Sequence, residues 1–395
     1  MKITRIETIH TDIWPLAIFV RVHTDDGLIG TGDTFYTPDT ISSFVHEVIA
    51  PTLLGKDPSR IERHWFDLYD RNVARFGGLG AEMRAISAID VALWDIAGQA
   101  AGVPIHQLLG GKFQDSVRVY NTCGGTGYGY PPHNRGGNGP GPLEDLHSAI
   151  HRPGELAQEL VAEGITGMKI WPFDPYGLRN DGRYITADEL RAGLEPVRRI
   201  REAVGDKIDI MIDGHGYWDL PTAKKIAHAL EEYKPAWLED MLLGHDIGAI
   251  RALKDSTRIP ILASEFLMTR HQYRPLLEQG AADIVMVDPT WAGGITESRK
   301  ITTLADTFGL PVSMHDCTGP FTLLAGVHLA ISAPNATYQE TLRAYIRTWY
   351  HDLIPDVINI NAGRITPPGD PGIGASLLPS VFERGGTTVV ATDLH

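Results

Sequence analysis

Near the N-terminus, apolar and polar side chains alternate along three short segments. These segments are residues 1–11, 17–23 and 28–32. Alternation of this kind predicts strands with one buried face. Asp25-Asp26-Gly27, between the last two segments, is a tight-turn signal, so we expect these strands to pair antiparallel.

From residue 42 to residue 101 the spacing of the apolar residues becomes helical. The alanine-rich segment 85–97 is apolar on nearly every side, and a helix of that composition is buried between layers. Gly102-Val103-Pro104 then ends the helix. Together with the strands before it, this helical region predicts an α+β domain over residues 1–112.

Strand and helix patterns alternate along most of the remaining chain. The predicted strands are 117–121, 166–171, 208–213, 236–239, 261–264, 283–288, 311–315 and 337–340. Thr186 and Glu189 form a capping box that opens the helix between the second and third strands. Such alternation implies a parallel sheet, and eight units predict a closed (β/α) barrel, here over residues 113–355.

Two segments depart from this alternation. Residues 124–142 are rich in glycine and proline. They are either a disordered insertion or a loop over an active site, because long loops without their own structure are often binding elements. Residues 356–395 resume the alternation of strands, and we expect this segment to return to the N-terminal domain.

Acids stand at the ends of three successive predicted barrel strands. Asp213, Glu239 and Glu265 follow one another at intervals of 26 residues, from 213 to 239 and from 239 to 265. A single acid of this kind would be read as a solvated loop residue. Three acids at strand ends of a barrel instead predict a shared site. An all-oxygen, three-carboxylate site with open positions suits Mg²⁺.

Two histidines accompany these acids. His215 lies two residues after Asp213, so both side chains leave the strand on the same face, where Gly214 and Gly216 open the backbone. His315 ends the strand that follows Asp288. We expect Asp288 and His315 to be in hydrogen-bond reach, with the carboxylate orienting the imidazole and raising its basicity.

Lys169 and Glu340 mark two more strand ends, and each allows two interpretations. Lys169 is either a surface lysine that snorkels or an inward ammonium that holds a substrate carboxylate. Glu340 is either a plain strand-end acid or an acid that hydrogen-bonds a developing enolate. Candidate substrate contacts, each of which could equally be ordinary packing, are Trp14, Phe35, Tyr36, Phe76, Tyr130, Trp171, Trp218 and Trp291.

Composition narrows the class of protein. The chain has 395 residues, of which 43% are apolar and 21% charged, as in soluble globular proteins, and no apolar run has transmembrane length. A net charge of −14 argues against nucleic acid or an anionic membrane as a partner. Cys123 and Cys317 are too few for a disulfide framework, which favours the cytoplasm.

The apolar helix at 85–96, followed by Gly102-Val103-Pro104 and Leu108-Leu109-Gly110-Gly111, resembles the signature of the enolase superfamily, in its mandelate racemase subgroup. The strand-end acids and histidines fall where that family has its three Mg²⁺ ligands, its His–Asp dyad and the acid of its last strand. The resemblance implies a modified barrel of (β/α)₇β type under an α+β capping domain. It also implies a homo-oligomer, with cap loops that set substrate specificity.

One departure from the family pattern bears on the reaction. Racemases of the subgroup carry Lys-x-Lys at the second barrel strand, but this chain reads Lys169-Ile170-Trp171, and tryptophan cannot move a proton. Asp213-Gly214-His215 instead resembles the acid-sugar dehydratases of the subgroup, such as galactonate dehydratase, whose histidine helps the 3-hydroxyl leave.

The resulting hypothesis is a Mg²⁺-dependent dehydratase of a sugar acid. His315 would take the proton next to the carboxylate and His215 would protonate the leaving β-hydroxyl, which gives a 2-keto-3-deoxy acid. Two alternatives stay open. One is a racemase, epimerase or cycloisomerase that uses both histidines on one carbon. The other is a family member kept for binding or regulation.

Overall fold

The structure of the protein is a computed structural model, which describes residues 1–76, 78–128 and 141–394. Its strands are β1 Ile3–His10, β2 Ala17–Thr24, β3 Ile29–Phe35, β4 Val117–Thr122, β5 Gly167–Ile170, β6 Asp209–Asp213, β7 Trp237–Glu239, β8 Ile261–Ala263, β9 Ile284–Val287, β10 Val312–Met314, β11 Ala336–Thr341, β12 Asn359–Asn361, β13 Arg364–Thr366 and β14 Thr388–Asp393.

The α-helices lie between these strands. They are α1 Pro38–Phe44, α2 Ala50–Leu53, α3 Ile61–Asn72, α4 Ala81–Ala101, α5 Ile105–Leu108, α6 Asp145–His151, α7 Pro153–Ala162, α8 Asp174–Arg179, α9 Ala187–Val204, α10 Leu220–Leu230, α11 Ile247–Lys254, α12 Thr269–Glu278, α13 Gly294–Thr307, α14 Pro320–Ser332, α15 Arg343–Ile346 and α16 Pro379–Glu383. No described helix combines the length and the apolar character needed to cross a lipid bilayer.

The N-terminal domain is an antiparallel sheet covered by helices. Its strand order is β14-β1-β2-β3, and the predicted turn at Asp25–Gly27 connects β2 to β3. Helix α4 packs directly on β3, because a side chain at Gly30 or Gly32 would collide with the carbonyl of Ala92 or Ala88. The two glycines therefore bring the buried helix that the sequence predicts close against the sheet.

Strands β4 to β11 form the predicted barrel. All eight are parallel, and β11 pairs with β4 through Glu340 and Tyr120, which closes the sheet. The predicted capping box opens α9, with Thr186 and Glu189 bonding each other's backbone N–H groups. The last barrel strand, β11, is followed by the four-residue helix α15 where the earlier units have a longer barrel helix, so the barrel has the (β/α)₇β form.

The C-terminal segment divides between the two sheets. Its last strand, β14, pairs antiparallel with β1 in the cap. The hairpin β12–β13 pairs with the beginning of β4 instead, at Val117 and Arg118. Strand β5 pairs with β4 only at Asn121 and Thr122, so the hairpin satisfies backbone groups that would otherwise form a free edge. Domain boundaries at residues 112 and 355 stay predictions.

Candidate active site

Inward-facing side chains of the barrel strands form two layers. The first layer is an apolar cluster of Tyr120, Met211, Trp237, Leu262, Met286 and Tyr338. Two residues further along the same chain segments, on the same inward face, lies a second layer, which we call the polar layer. It contains Thr122, Lys169, Asp213, Glu239, Ser264, Asp288, His315 and Glu340. The second layer lies at the carboxyl ends of the strands, where barrel enzymes have their active sites.

Two carboxylates of this polar layer converge with Glu265, the residue that follows Ser264. Asp213, Glu239 and Glu265 each offer an oxygen atom, and these atoms lie within 4.8 Å of one another. Lys169 joins them, with Nζ 2.6 Å from Glu239 Oε1, 3.3 Å from Asp213 Oδ2 and 2.8 Å from Glu340 Oε1. Lys169 therefore points inward as expected, but it contacts carboxylates of the protein itself. Its contact with a substrate carboxylate stays a prediction.

Negative charge is in excess in this buried cluster. Burial raises the pKa of Glu239 well above its usual value, and although Lys169 opposes the shift, the carboxylates of Asp213 and Glu340 raise the pKa further. A divalent cation would offset such charge, and carboxylate oxygens are the ligands that Mg²⁺ prefers. The three acids on β6, β7 and after β8 therefore fit a Mg²⁺ ion.

His315 and Asp288 form the dyad that the sequence predicts. His315 Nδ1 lies 2.6 Å from Asp288 Oδ2, and His315 Nε2 lies 3.1 Å from Glu265 Oε2. Burial alone would lower the pKa of His315, but the carboxylates of Glu265 and Glu340 raise it well above its usual value. The imidazole thus has one nitrogen held by Asp288 and the other facing the carboxylate cluster.

His215 reaches the other end of the same cluster. Its Nε2 lies 3.5 Å from Asp213 Oδ2 and 3.1 Å from the hydroxyl of Tyr128, while its Nδ1 lies 2.8 Å from Asp174 Oδ2. Burial alone would lower the pKa of His215, but Asp213 and Asp174 raise it to about 10. Tyr128 belongs to the glycine- and proline-rich segment, for which a loop over an active site was one of two interpretations, and Asp174 was not among the predicted site residues. The only signal for Asp174 was that it follows the second barrel strand.

Glu340 lies between Lys169 and His315. Its Oε1 also accepts a hydrogen bond from the hydroxyl of Thr122. Burial alone would raise the pKa of Glu340, but Lys169 and His315 lower it below its usual value. Of the two interpretations made from the sequence, these contacts favour a charged carboxylate over an acid that donates a proton.

Two of the aromatic candidates lie beside the histidines. Trp171 meets the His215 ring at 5.5 Å between centroids, and Trp291 lies 4.8 Å from the His315 ring. Phe35 of the cap stacks on Trp291 at 5.4 Å. These rings form apolar walls next to the two imidazoles.

The other aromatic candidates either make no ring contact with His215 or His315 within the described residues or lie outside those residues. Trp14 is buried and stacks on Trp349 at 4.8 Å, within an aromatic cluster. Tyr36 is 59% exposed. Their roles as substrate contacts stay predictions. Tyr130, most of the glycine- and proline-rich loop (129–140) and the side chain of Phe76 lie outside the described part of the chain.

Arg84 is a further charged group beside Trp291, and it was not among the site residues predicted from the sequence. Its guanidinium lies 3.9 Å over the ring of Trp291 and donates to the carbonyl of Phe35 at 3.2 Å. Burial lowers its pKa to about 10, so it stays positive at neutral pH. The apolar pattern of α4 gave no signal for it, because the pattern marks the buried face and not the end of the helix.

Fold and site together define the class of this protein: a barrel enzyme with a capping domain, three strand-end carboxylates that fit a divalent cation, and an Asp–His dyad. Residues 4–110 match the mandelate racemase/muconate lactonizing enzyme N-terminal domain, and residues 153–381 match the enolase C-terminal domain-like family. The chain therefore belongs to the enolase superfamily, in its mandelate racemase subgroup.

Individual relatives agree with this assignment. An enolase of the mandelate racemase subgroup from Agrobacterium tumefaciens has 40% identity and a TM-score of 0.89, with 100% of this chain and 99% of that chain covered. D-galactonate dehydratase of Variovorax paradoxus is 32% identical over 95% of this chain and 92% of its own length. D-xylonate dehydratase of Haloferax volcanii is 33% identical over 95% of this chain and 87% of its own length.

Proposed function

We propose that this protein is a Mg²⁺-dependent dehydratase of a sugar acid. The observation that carries the proposal is the placement of two imidazoles at two ends of one carboxylate cluster. His315 contacts Glu265, and His215 contacts Asp213. Each imidazole has its own carboxylate partner on Nδ1. Elimination of water needs two such groups, one to remove a proton and one to protonate the leaving hydroxyl.

The names of the relatives support the substrate class. Two of them, at 32% and 33% identity over most of this chain, are named D-galactonate dehydratase and D-xylonate dehydratase. A third is named D-gluconate dehydratase and is 32% identical. All three names specify a sugar acid and the loss of water, although they differ in the sugar.

Asp213, Glu239 and Glu265 would hold the metal ion. When bound, Mg²⁺ would act as a Lewis acid that stabilises negative charge developing on the substrate carboxylate. Lys169 lies in the same layer, and its ammonium would add positive charge near that carboxylate.

His315 would remove the proton next to the carboxylate. Asp288 accepts the hydrogen bond from Nδ1 at 2.6 Å, and Nε2 lies on the side of the carboxylate cluster. Glu265 raises the pKa of His315, and a cation held by Glu265 would offset that charge and leave Nε2 able to accept the proton. The Asp288 carboxylate also stabilises the imidazolium that forms. Trp291, beside the ring, would keep water from that face.

His215 would give a proton to the β-hydroxyl. Asp174 holds Nδ1 at 2.8 Å, so Nε2 is the nitrogen that faces the cluster and Asp213. The C–O bond then breaks, and the hydroxyl leaves as water with the proton from Nε2. The enol that remains tautomerises to a 2-keto-3-deoxy acid.

The racemase alternative needs acid/base groups on both faces of one carbon. In the subgroup's racemases the second lysine of Lys-x-Lys provides one of them, and here that position is Trp171. Its ring packs against Tyr128 at 4.8 Å and has no proton to transfer at neutral pH. A racemase, epimerase or cycloisomerase would therefore have to use His215 and His315 on one carbon, and it is left as an outcome of the test.

His215→Asn tests the proposal. We expect the variant to lose dehydration, measured as keto-acid product, but to retain exchange of the α-proton in D₂O, because His315 is intact. His228→Asn is the matched control, since His228 lies on the exposed surface of α10, where its Nε2 bonds the Ser256 carbonyl, away from the carboxylate cluster. Full dehydration by His215→Asn, or an epimer as the only product of the wild type, would contradict the proposal.

A substrate screen would identify the particular sugar acid. Galactonate, xylonate and gluconate are the first candidates, and a wider library of acid sugars would be screened for keto-acid product. A homo-oligomer and a cytoplasmic location stay predictions from the sequence.

A further inference from the structure

A row of buried polar side chains connects the capping domain to the dyad. Asp33 on β3 lies with Oδ1 2.7 Å from Thr322 Oγ1, and Thr322 Oγ1 lies 2.7 Å from Thr290 Oγ1. Thr290 Oγ1 lies 3.1 Å from Asp288 Oδ1, and Asp288 Oδ2 contacts His315. Asp33, Thr322, Thr290 and Asp288 are each 0% exposed. We call these four residues the relay.

The number of hydrogens in the relay decides whether both of its carboxyl groups can be ionised. Its four side chains make three oxygen–oxygen contacts, and the two hydroxyl groups provide one hydrogen each. With both carboxyl groups ionised, one of the three contacts has no hydrogen, and two buried oxygens face each other without a bond. Such an arrangement is costly in a buried site. A third hydrogen, on one of the two carboxyl groups, satisfies every contact.

We propose that Asp33 holds this hydrogen, and that the relay then points toward Asp288 and fixes it for His315. Asp33 would donate to Thr322, Thr322 to Thr290, and Thr290 to Asp288. Asp288 is the less suitable place for the hydrogen, because its Oδ1 already accepts from the Thr290 N–H at 2.7 Å and its Oδ2 pairs with His315, whose positive charge favours an ionised carboxylate. Asp33 is therefore a positioning residue that acts through the two threonines.

The surroundings of Asp33 agree with a neutral carboxyl group. Burial raises the pKa of Asp33 to about 7, against the lowering by hydrogen bonds from Thr322 and Phe321, and the charge of Asp288 raises it further. Within the described part of the chain, Tyr350 is a further titratable group that interacts electrostatically with Asp33. No lysine, arginine or histidine within the described ranges forms an ion pair with Asp33.

Asp33 also caps a helix, and this role must be separated from the relay. Its two oxygens accept from the N–H groups of Phe321 at 3.0 Å and Thr322 at 2.8 Å, in the first turn of α14. A carboxylate without a proton would serve as such a cap. These N–H groups favour the ionised form of Asp33, so the cap does not account for a hydrogen on this carboxyl group, and it does not involve the contact between Thr322 and Thr290.

The first test measures the proton directly and does not depend on activity. The wild type, in Mg²⁺ at about pH 6, should show an infrared band of a protonated carboxyl group. This band should be absent from Asp33→Asn. In Thr322→Val, which removes the hydroxyl but leaves Asp33 and the helix N–H groups in place, the band should shift. Absence of the band, or an unchanged band in Thr322→Val, would overturn the proposal even if Asp33→Asn does not fold.

The second test asks whether the relay positions the dyad, a point that rests on the proposed function. Thr290→Val and Thr322→Val should lower kcat for α-proton exchange about 2- to 10-fold with KM unchanged, the effect of one lost hydrogen bond. Thr290→Ser and Thr322→Ser retain the hydroxyl and should restore the rate. If the valine variants lower kcat and the serine variants do not restore it, the positioning role of the relay is contradicted.

Thr34→Val is the matched control. Thr34 is equally buried and donates to the Thr290 carbonyl at 3.1 Å, outside the relay, so kcat should stay near that of the wild type. An equal loss in this control would show that packing, and not the relay, is responsible. If the wild type exchanges no α-proton on any sugar acid, the proposed function fails, while the infrared result still decides the protonation of Asp33.

Discussion

The two layers inside the barrel differ in chemistry although the same strands build them. In the apolar layer, the rings of Tyr120, Trp237 and Tyr338 meet edge to face at 5.5 to 5.8 Å between centroids. In the polar layer, two residues further along β7 and β11, Glu239 and Glu340 carry buried carboxylates. The strand period of two places both layers on the inward face.

The difference shows how stability and chemistry are separated along a strand. Aromatic pairs of this geometry contribute about 0.5–1.5 kcal/mol each beyond area burial. Buried charges cost free energy unless they are paired. The like charges of the polar layer repel, and they are held by the layer beneath them and by the ion pairs of Lys169 with Asp213, Glu239 and Glu340. Trp237 connects the layers, because its Nε1–H donates to Glu239 at 3.1 Å.

Strand β5 shows how closely the layers are fitted. Gly167 stands where the apolar layer would have a side chain, and a Cβ there would lie 2.7 Å from the Cβ of Tyr120 and 3.0 Å from Met211 Cε. Lys169 follows two residues later in the polar layer. The missing side chain leaves room for the Tyr120 ring beneath the ammonium.

The largest effect should come from the polar layer, with Asp213→Asn. We expect activity to be abolished, because several kcal/mol of metal-dependent stabilisation are lost, while the thermal midpoint is kept or raised as like charges are removed. Activity assays and thermal unfolding measure the two effects. Asp255→Asn, on the exposed surface, is the control. Near-normal activity in Asp213→Asn would show that this acid is not a metal ligand.

The next largest effect should come from His315, the proposed base, which lies in the same polar layer. His315→Asn should lower the rate of α-proton exchange in D₂O about 10²- to 10⁴-fold, the usual contribution of a general base. Binding of the sugar acid should change little. If exchange continues at the wild-type rate, another residue is the base.

In the apolar layer we expect the reverse pattern. Met211→Ala should lower the free energy of unfolding by about 2–5 kcal/mol, since it leaves a cavity in a close-packed cluster, with kcat changed only slightly. Urea unfolding and kinetics of the same preparation measure both. A loss of kcat as large as that of Asp213→Asn, two residues away, would mean that the two layers do not act separately.

The smallest effect should be the response of stability to Mg²⁺. Binding to the folded state alone stabilises a protein by about 2.7 kcal/mol at a concentration of 100 Kd, so the thermal midpoint should rise with added Mg²⁺. Met211→Ala should retain this rise, and Asp213→Asn should lose it. If the thermal midpoint of Asp213→Asn still rises with Mg²⁺, the ion binds at a site other than the three carboxylates.

The sequence was sufficient for the barrel and for the positions of the strand-end acids. Both follow from local periodicity, because alternation along a strand decides which side chains point inward, and the repeat decides where each strand ends. Asp213, Glu239 and Glu265 converge, and Asp288 bonds His315, as this periodicity predicts. The return of the C-terminal segment to the cap was predicted, but the pairing of β12–β13 with the barrel was not.

Only the tertiary structure decided which distant groups meet. Asp174 bonds His215, Lys169 lies among carboxylates, and Asp33 reaches Thr322 nearly three hundred residues later in the chain. Periodicity gives the face on which a residue lies, but not the residue opposite it across a domain interface. That partner depends on how helices and sheets pack, and packing is set by the shapes of all the side chains together.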